Sequence, residues 1–328
     1  MTIEFSAERV LETSLPIIDV SGLSSANRSI RQDVASHLRG ACLHSGFFYI
    51  KGHGVPQGLI EAVFEQCRAF FDQSDEVKNA VSMSRSFCNR GYEPLKTQTL
   101  EAGAPPDLKE SFYIGWEMPE DDPRVIAKRF NRGPNQWPAD MCGFMPTMKA
   151  YFAAMLDLSE RMMRGLALSL DLNEGHFANF VREPLATLRL LHYPPQPAGA
   201  APGEKGAGAH TDFGALTLLL QDSVGGLQVR DPYSPRWLHA PPVDGTFVVN
   251  LGDMIARWTN DTYRSTLHRV INVSGTERYS IPFFLSGNPD QVIECLPQCC
   301  GEVPPKFPVT TVENHIAEKY QQSYGRAS

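Results

Sequence analysis

Apolar residues recur along this chain at two periods, helical in the first half and strand-like in the second. At the front, LPIIDVSGL (15–23) reads as a short strand ended by Ser-Gly, and Ile30, Val34, Leu38 and Ala41 follow at helical steps. A second strand runs from Phe47 to Ile50, turns through Gly52 and Gly54, and meets Pro56 near the start of another helix. That helix carries Leu59, Val63, Cys67 and Phe70 on one face. The strongest stripe is Tyr151, Met155, Leu158, Met162, Leu166 and Leu170, which predicts a core helix on which a sheet packs. From about residue 186 the helical period is lost. TLRLLHY, LTLLL, GLQVR, TFVVNLG, TLHRVINV and RYSIPFFLS are short strands separated by Gly, Pro, Asn and Asp clusters. Such a series predicts an antiparallel barrel or jelly roll, so the fold class expected is mixed α/β with a mainly β core.

Between these halves, residues 84 to 140 are irregular and rich in proline, with one strand expected in ESFYIGW. A stretch of that length reads as a cover folded over a site. Four divisions of one compact unit follow: a mixed α/β region and pocket cover (1–140), a backbone helix region (141–185), a β core (186–290), and a C-terminal loop and helix (291–328). Specificity is expected from residues 84 to 118 and from inward strand residues such as Phe284. Tyr92, Phe112 and Trp116 are candidate aromatic walls, although packing of the cover onto the barrel explains them equally well.

The composition narrows the partners. Of 328 residues, 42% are hydrophobic and 20% charged, ordinary values for a globular protein with a sizeable core. A net charge of -7 recommends neither a nucleic-acid nor an anionic-membrane partner, and it does not identify a substrate. No apolar run approaches the ~20 residues of a membrane span. MTIEFSAERV carries charges where a signal peptide needs an apolar stretch. Seven cysteines, an odd number without regular spacing, are expected to be reduced thiols in the cytoplasm, with Cys295, Cys299 and Cys300 in a surface loop.

The candidate chemistry begins in AHTDFGALTLLL (209–220). His210 and Asp212 stand two residues apart, which on an extended segment turns both side chains the same way. Alone, the triplet is explained by a capped turn. Another strand, however, holds His268. Two imidazoles and one carboxylate with further positions open form the facial triad of non-haem Fe(II) oxygenases, leaving room for a bidentate co-substrate and O₂. Zinc would use the same residues, but the His-Glu-X-X-His helix that often accompanies it is missing from the sequence. His192 and His239 have no acidic or histidine neighbour at ligand spacing, and His315 is not read as a ligand either.

Arg278 and Ser280 offer an anion site. A guanidinium fork with a hydroxyl two residues away can hold a planar carboxylate, though an isolated Arg-X-Ser is more often an exposed pair beside a turn. If 268–273 and 278–285 form a hairpin with an odd loop such as Ser274 to Thr276, both residues share a face with His268. The same register turns Pro282 and Phe284 inward. Tyr193, followed by two prolines, offers a second donor; core packing explains it almost as well.

With His210, Asp212, His268, Arg278 and Ser280 in that order, the chain resembles the isopenicillin N synthase-like family of Fe(II)- and 2-oxoglutarate-dependent dioxygenases. The resemblance runs nearly end to end, through ACLHSGFFYIKGHGVP, NRGYEP, DLKESFYIG and FVVNLGDMIARWTNDTYRSTLHRV. It implies that His210, Asp212 and His268 bind Fe(II), and that Arg278, Ser280 and Tyr193 hold the distal carboxylate of 2-oxoglutarate. It also implies a double-stranded β-helix, a distorted jelly roll, wrapped by helices. The activity implied is oxidation of a small molecule with O₂ by hydroxylation, desaturation or ring closure, giving succinate and CO₂. Two departures stand out. Plant members often have asparagine where this chain has Leu191. Isopenicillin N synthase itself keeps the arginine and serine for its peptide substrate and needs no 2-oxoglutarate, so such an oxidase is the alternative. That enzyme's near-terminal glutamine finds a loose match in Gln321 or Gln322. A catalytically silent metal-binding protein is a third reading, disfavoured because all three ligands are present. Nothing in the chain names the substrate or the oligomeric state.

Overall fold

Strand and helix alternate through the front of the chain, as the two periods predict. β1 (Ile17–Asp19) leads to α1 (Arg28–His44), which starts where the Asn27 side chain accepts from the Ser29 amide. β2 (Phe47–Lys51) and α2 (Gln57–Phe71) follow, then the short α3 (Asp75–Ala80), capped by Ser74. The stretch expected to be irregular contains β3 (Gly91–Glu93), β4 (Glu110–Gly115) and α4 (Pro123–Ile126). The computed structural model describes residues 15–196, 203–301 and 303–324, so the N-terminal MTIEFSAERV lies outside the described residues.

The long helix is α5 (Phe144–Ser169); it packs against α1 and α2 on one side and the sheet on the other. Strands dominate from there: β5 (Leu185–Tyr193), β6 (Ala207–His210), β7 (Leu216–Gln221), β8 (Leu227–Arg230), β9 (Trp237–His239) and β10 (Phe247–Leu251). After α6 (Asp253–Trp258) come β11 (His268–Val270) and β12 (Arg278–Gly287). The chain closes with β13 (Val292–Ile293), α7 (Pro297–Cys300), β14 (Thr310–Thr311) and α8 (Val312–Tyr324).

Two sheets face each other as a double-stranded β-helix. The larger has the order β1-β2-β10-β7-β12-β5-β4-β3 and the smaller β6-β11-β8-β9. The expected hairpin of 268–273 with 278–285 is not formed: β11 pairs with β6 and β8, whereas β12 pairs with β5 and β7. The connection crosses from one sheet to the other. Asn272 fixes the crossing, since its side-chain amide donates to the carbonyls of Tyr193 (3.0 Å), Pro194 (3.1 Å) and Thr276 (2.9 Å).

Strand alternation then divides the apolar residues between two cores. Phe48 and Ile50 of β2 and Leu188 and Leu190 of β5 face the helices, where Met155, Leu158, Met162 and Leu166 of α5 are buried. Their neighbours Phe47, Tyr49, Leu191 and Tyr193 turn into the barrel and meet Leu227, Val229 and Val270 of the smaller sheet. Each such side chain contributes roughly 1.5–3 kcal/mol when fully buried, so the helix layer carries most of the stability. The barrel interior is left free to hold polar groups.

Two expectations are corrected here. Tyr92 and Phe112 pack on Phe70 in the helix-side core, with centroids 6.0 and 4.7 Å from it, because both side chains fall on the helix-facing side of their strands. Cys295 and Cys300, expected to be reduced, form a disulfide: the single turn of α7 brings their Cα atoms to 6.6 Å. Cys42, Cys67, Cys88, Cys142 and Cys299 are free. No helix among the described residues is long and apolar enough to cross a membrane.

Candidate iron and co-substrate site

His210 ends β6 and His268 begins β11, and the antiparallel register sets them directly opposite each other, with ring centroids 4.3 Å apart. Asp212, two residues beyond His210, brings Oδ1 to 3.7 Å from Nε2 of each imidazole. One ligand atom from each residue lies within 4.8 Å of the others, a spacing a single metal ion can span. The surroundings fix which atoms face inward. Nδ1–H of His210 donates to the Gly208 carbonyl (2.8 Å) and Nδ1–H of His268 to that of Thr266 (3.1 Å), so both Nε2 lone pairs point at the cluster. Oδ2 of Asp212 accepts from the Thr217 hydroxyl (2.6 Å) and the Asn250 amide (2.7 Å), leaving Oδ1 for the cluster.

The electrostatics suit a divalent ion that takes His210 as a neutral imidazole. Burial, then the nearby His268, pushes the His210 imidazole well below its ordinary value. Burial opposes ionisation of Asp212, but the two imidazoles and the bonds from Asn250 and Thr217 outweigh it and hold the carboxyl below its usual range. The donor set of two nitrogens and one carboxylate oxygen therefore fits Fe(II).

Two cavities meet at this cluster, sharing His210, Asp212, Arg189, Leu100 and Phe284. The inner one, about 60 Å³, runs between the sheets to Arg278. Arg278 is fully buried yet poorly partnered. Its guanidinium lies 4.7 Å from the Tyr193 ring, with one Nη 3.4 Å from the Ser280 hydroxyl and the other 3.2 Å from Gln221 Oε1. Its Nε has no hydrogen-bond partner, and among the described residues no carboxylate lies within ion-pair distance. An arginine in this state fits an external carboxylate. Tyr193 lies opposite Arg278 in register and hydrogen-bonds Ser280; burial raises its phenol, although Arg278 counteracts part of the shift. Leu191 lies opposite Ser280 and lines the same cavity.

Every expected site residue therefore lines the inner cavity, although Arg278 and Ser280 reach it from the sheet opposite His268. The sequence reading missed Thr217, Asn250, Gln221 and Lys109. Thr217 and Asn250 interrupt apolar strands at barrel-facing positions, which was a usable signal. Lys109 lines the inner cavity beside Asp107, and burial brings its ammonium down to about 8. The remaining histidines lie elsewhere: His192 is held between Glu110 and Glu277, and His315 donates to the Phe213 carbonyl at 2.9 Å. Gln321 and Gln322 are exposed on α8.

Known proteins agree with this geometry. Residues 15–140 match the model of the non-haem dioxygenase in morphine synthesis N-terminal family, and residues 184–287 match that of the 2OG-Fe(II) oxygenase superfamily. A 2-oxoglutarate-Fe(II) type oxidoreductase, hxnY, of Emericella nidulans is 47% identical over 96% of this chain and 92% of its own. Clavatol oxidase claD of Penicillium crustosum is 35% identical over 94% of this chain and 96% of its own. Among solved structures, a full-length Neurospora crassa protein in complex with alpha-KG and thymine superposes with TM-score 0.83 at 32% identity, covering 94% of this chain and 96% of that one. The chain belongs to the 2OG-Fe(II) oxygenase superfamily. It is an oxidoreductase that uses Fe(II) and 2-oxoglutarate, and the oxidase reading that dispenses with 2-oxoglutarate finds no support among these relatives.

Proposed function

We propose that His210, Asp212 and His268 hold the Fe(II), that Arg278, Ser280 and Tyr193 hold the distal carboxylate of 2-oxoglutarate in the inner cavity, and that a small organic substrate enters the outer one. The observation that carries this reading is the buried, acid-free guanidinium of Arg278 at the far end of a cavity that begins at the three-ligand cluster. When bound, iron with 2-oxoglutarate and O₂ supplies the oxidising equivalents, and the co-substrate leaves as succinate and CO₂. The protein's own part is to position and to exclude. Thr217 and Asn250 orient Asp212, the two Nδ1–H bonds orient the imidazoles, and the apolar lining from Phe47, Leu191, Leu219 and Val270 keeps bulk water from the reacting centre.

Residues 186–290 supply the ligands, while 1–140 supply most of the cover in this proposal. A cytoplasmic location belongs to it as well, with five cysteines free although Cys295 and Cys300 are paired, and cell fractionation checks it. The central test is anaerobic titration of the Fe(II) protein with 2-oxoglutarate, watching for the visible charge-transfer band of a chelated keto acid. A band that is absent with Arg278→Leu supports the assignment. No band in the iron-loaded parent protein refutes it.

A further inference from the structure

Among the described residues three arginines line the outer cavity, and two of them have no acid to answer them. Arg189 is answered: its Nη2 lies 3.0 Å from the Glu93 carboxylate and also reaches Gln98 and Ser111. Arg90 and Arg132 are 2% and 3% exposed, and among the described residues no carboxylate lies within ion-pair distance of either. Arg90 is held by the carbonyls of Cys88 (2.8 Å) and Asn131 (2.7 Å), with its Nε unpartnered. Arg132 donates to the Glu183 carbonyl at 2.7 Å, with one Nη unpartnered. The nearby acids are engaged elsewhere: the Glu183 carboxylate with Arg124, and that of Glu117 with Asn135 and Trp137.

Carbonyl contacts satisfy N–H groups but do not neutralise charge, and two buried cations lining one cavity are costly without a counter-ion. Burial accordingly disfavours the charged form of both guanidiniums. His210 and Asp212 line the same cavity, and Trp116, Phe213 and Phe284 are among its walls. The cavity measures about 90 Å³ and is partly open, so a small molecule suits it, and the aromatic walls favour one that carries a ring.

Resting on the function proposed above, we infer that the substrate is a small ring-bearing carboxylic acid, its carboxylate held by Arg90 and Arg132 and its ring held between the aromatic walls. The reacting C–H bond then lies on the side of the ring away from the carboxylate. Anion recognition here is separate from that at Arg278, which lines only the inner cavity.

The test is calorimetric binding to the anaerobic protein loaded with Fe(II) and saturated with 2-oxoglutarate, which occupies the Arg278 end. The probes are benzoate and phenylacetate, each paired with its uncharged amide. At least one acid should bind tenfold or more tightly than its amide. R90Q and R132Q should each weaken that acid about tenfold while the amide stays as it was, and R132K should retain most of the preference. Arginines that merely brace the cover would move acid and amide together. The inference is overturned if no acid outbinds its amide, or if the preference survives in both glutamine variants. Should those variants fail to fold, the acid-against-amide comparison in the parent protein decides alone. The charge-transfer band is read on the same samples: a band without acid preference sinks this inference only. Acid preference in iron-loaded protein that shows no band sinks the co-substrate assignment only.

Discussion

Asn250 and Thr217 sit opposite each other on the neighbouring strands β10 and β7, and both donate to the same oxygen of Asp212. One carboxylate oxygen is thereby engaged by the protein and the other is turned towards the imidazoles. Removing the Asn250 donor frees the carboxylate to rotate. Asn250→Ala should weaken Fe(II) binding 10- to 100-fold, the usual effect of losing an outer-shell partner, and direct metal titration measures it. Asp212→Ala should abolish both metal binding and turnover; an active, fully metallated Asp212→Ala protein would remove Asp212 from the site.

Arg278→Leu separates the two ends of the inner cavity. Iron should bind as in the parent protein, because no ligand changes. The 2-oxoglutarate KM should rise at least 100-fold, since a charge-assisted, bidentate contact is worth several kcal/mol in a dry site. An unchanged KM would assign the arginine to some other anion.

Gly252 supports the triad from behind. A Cβ there would lie 2.2 Å from the Gly214 carbonyl oxygen and 2.8 Å from that of Asp212, and both belong to backbone that cannot step aside. Gly252→Ala should push the 212–214 turn away from β10, lowering Tm by several degrees and loosening metal binding at the same time. Loss of stability with full metal affinity would show that the turn tolerates the shift.

His192 gives the fold a pH dependence. Burial disfavours its charge, but hydrogen bonds to Glu110 and Glu277 outweigh burial and raise its pKa above the ordinary value. A proton bound more tightly in the folded state stabilises below the unfolded pKa of about 6.5, and that contribution fades as pH rises through the folded value. The Tm advantage of the parent protein over His192→Gln should therefore be largest near pH 6 and shrink above neutrality, where the glutamates stay ionised. Melting curves from pH 6 to 9 check it, and an advantage that grew with pH would contradict the assignment.

Much of this was legible in the sequence, and the exceptions share a cause. The short apolar runs TLRLLHY, LTLLL and TFVVNLG, bounded by turn residues, located β5, β7 and β10, because a strand buried on both faces still needs extended, β-compatible residues. His210, Asp212 and His268 could be read because ligand chemistry restricts residue type. Strand partners could not. The short separation of His268 from Arg278 suggested a hairpin, and only the pairing of β11 with β6 and β8 shows the crossing. The faces of β3 and β4 were likewise hidden, since both strands are buried throughout; Tyr113 and Trp116 reach the cavity, and Tyr92 and Phe112 do not. Arg90 and Arg132 gave no signal in the sequence, where each is one charged residue of an irregular stretch, and only the fold shows them buried.

The crossing from β11 to β12 makes a gauge of its few residues. His268 marks one jaw of the barrel and Arg278 the other, and Asn272 rivets the strip between them to the end of β5. On the proposed assignment, this strip of main chain joins the segment that carries a metal ligand to the strand that carries the carboxylate anchor. If that assignment holds, a residue inserted at 273–276 would disturb the register of the two jaws while leaving every ligand in place.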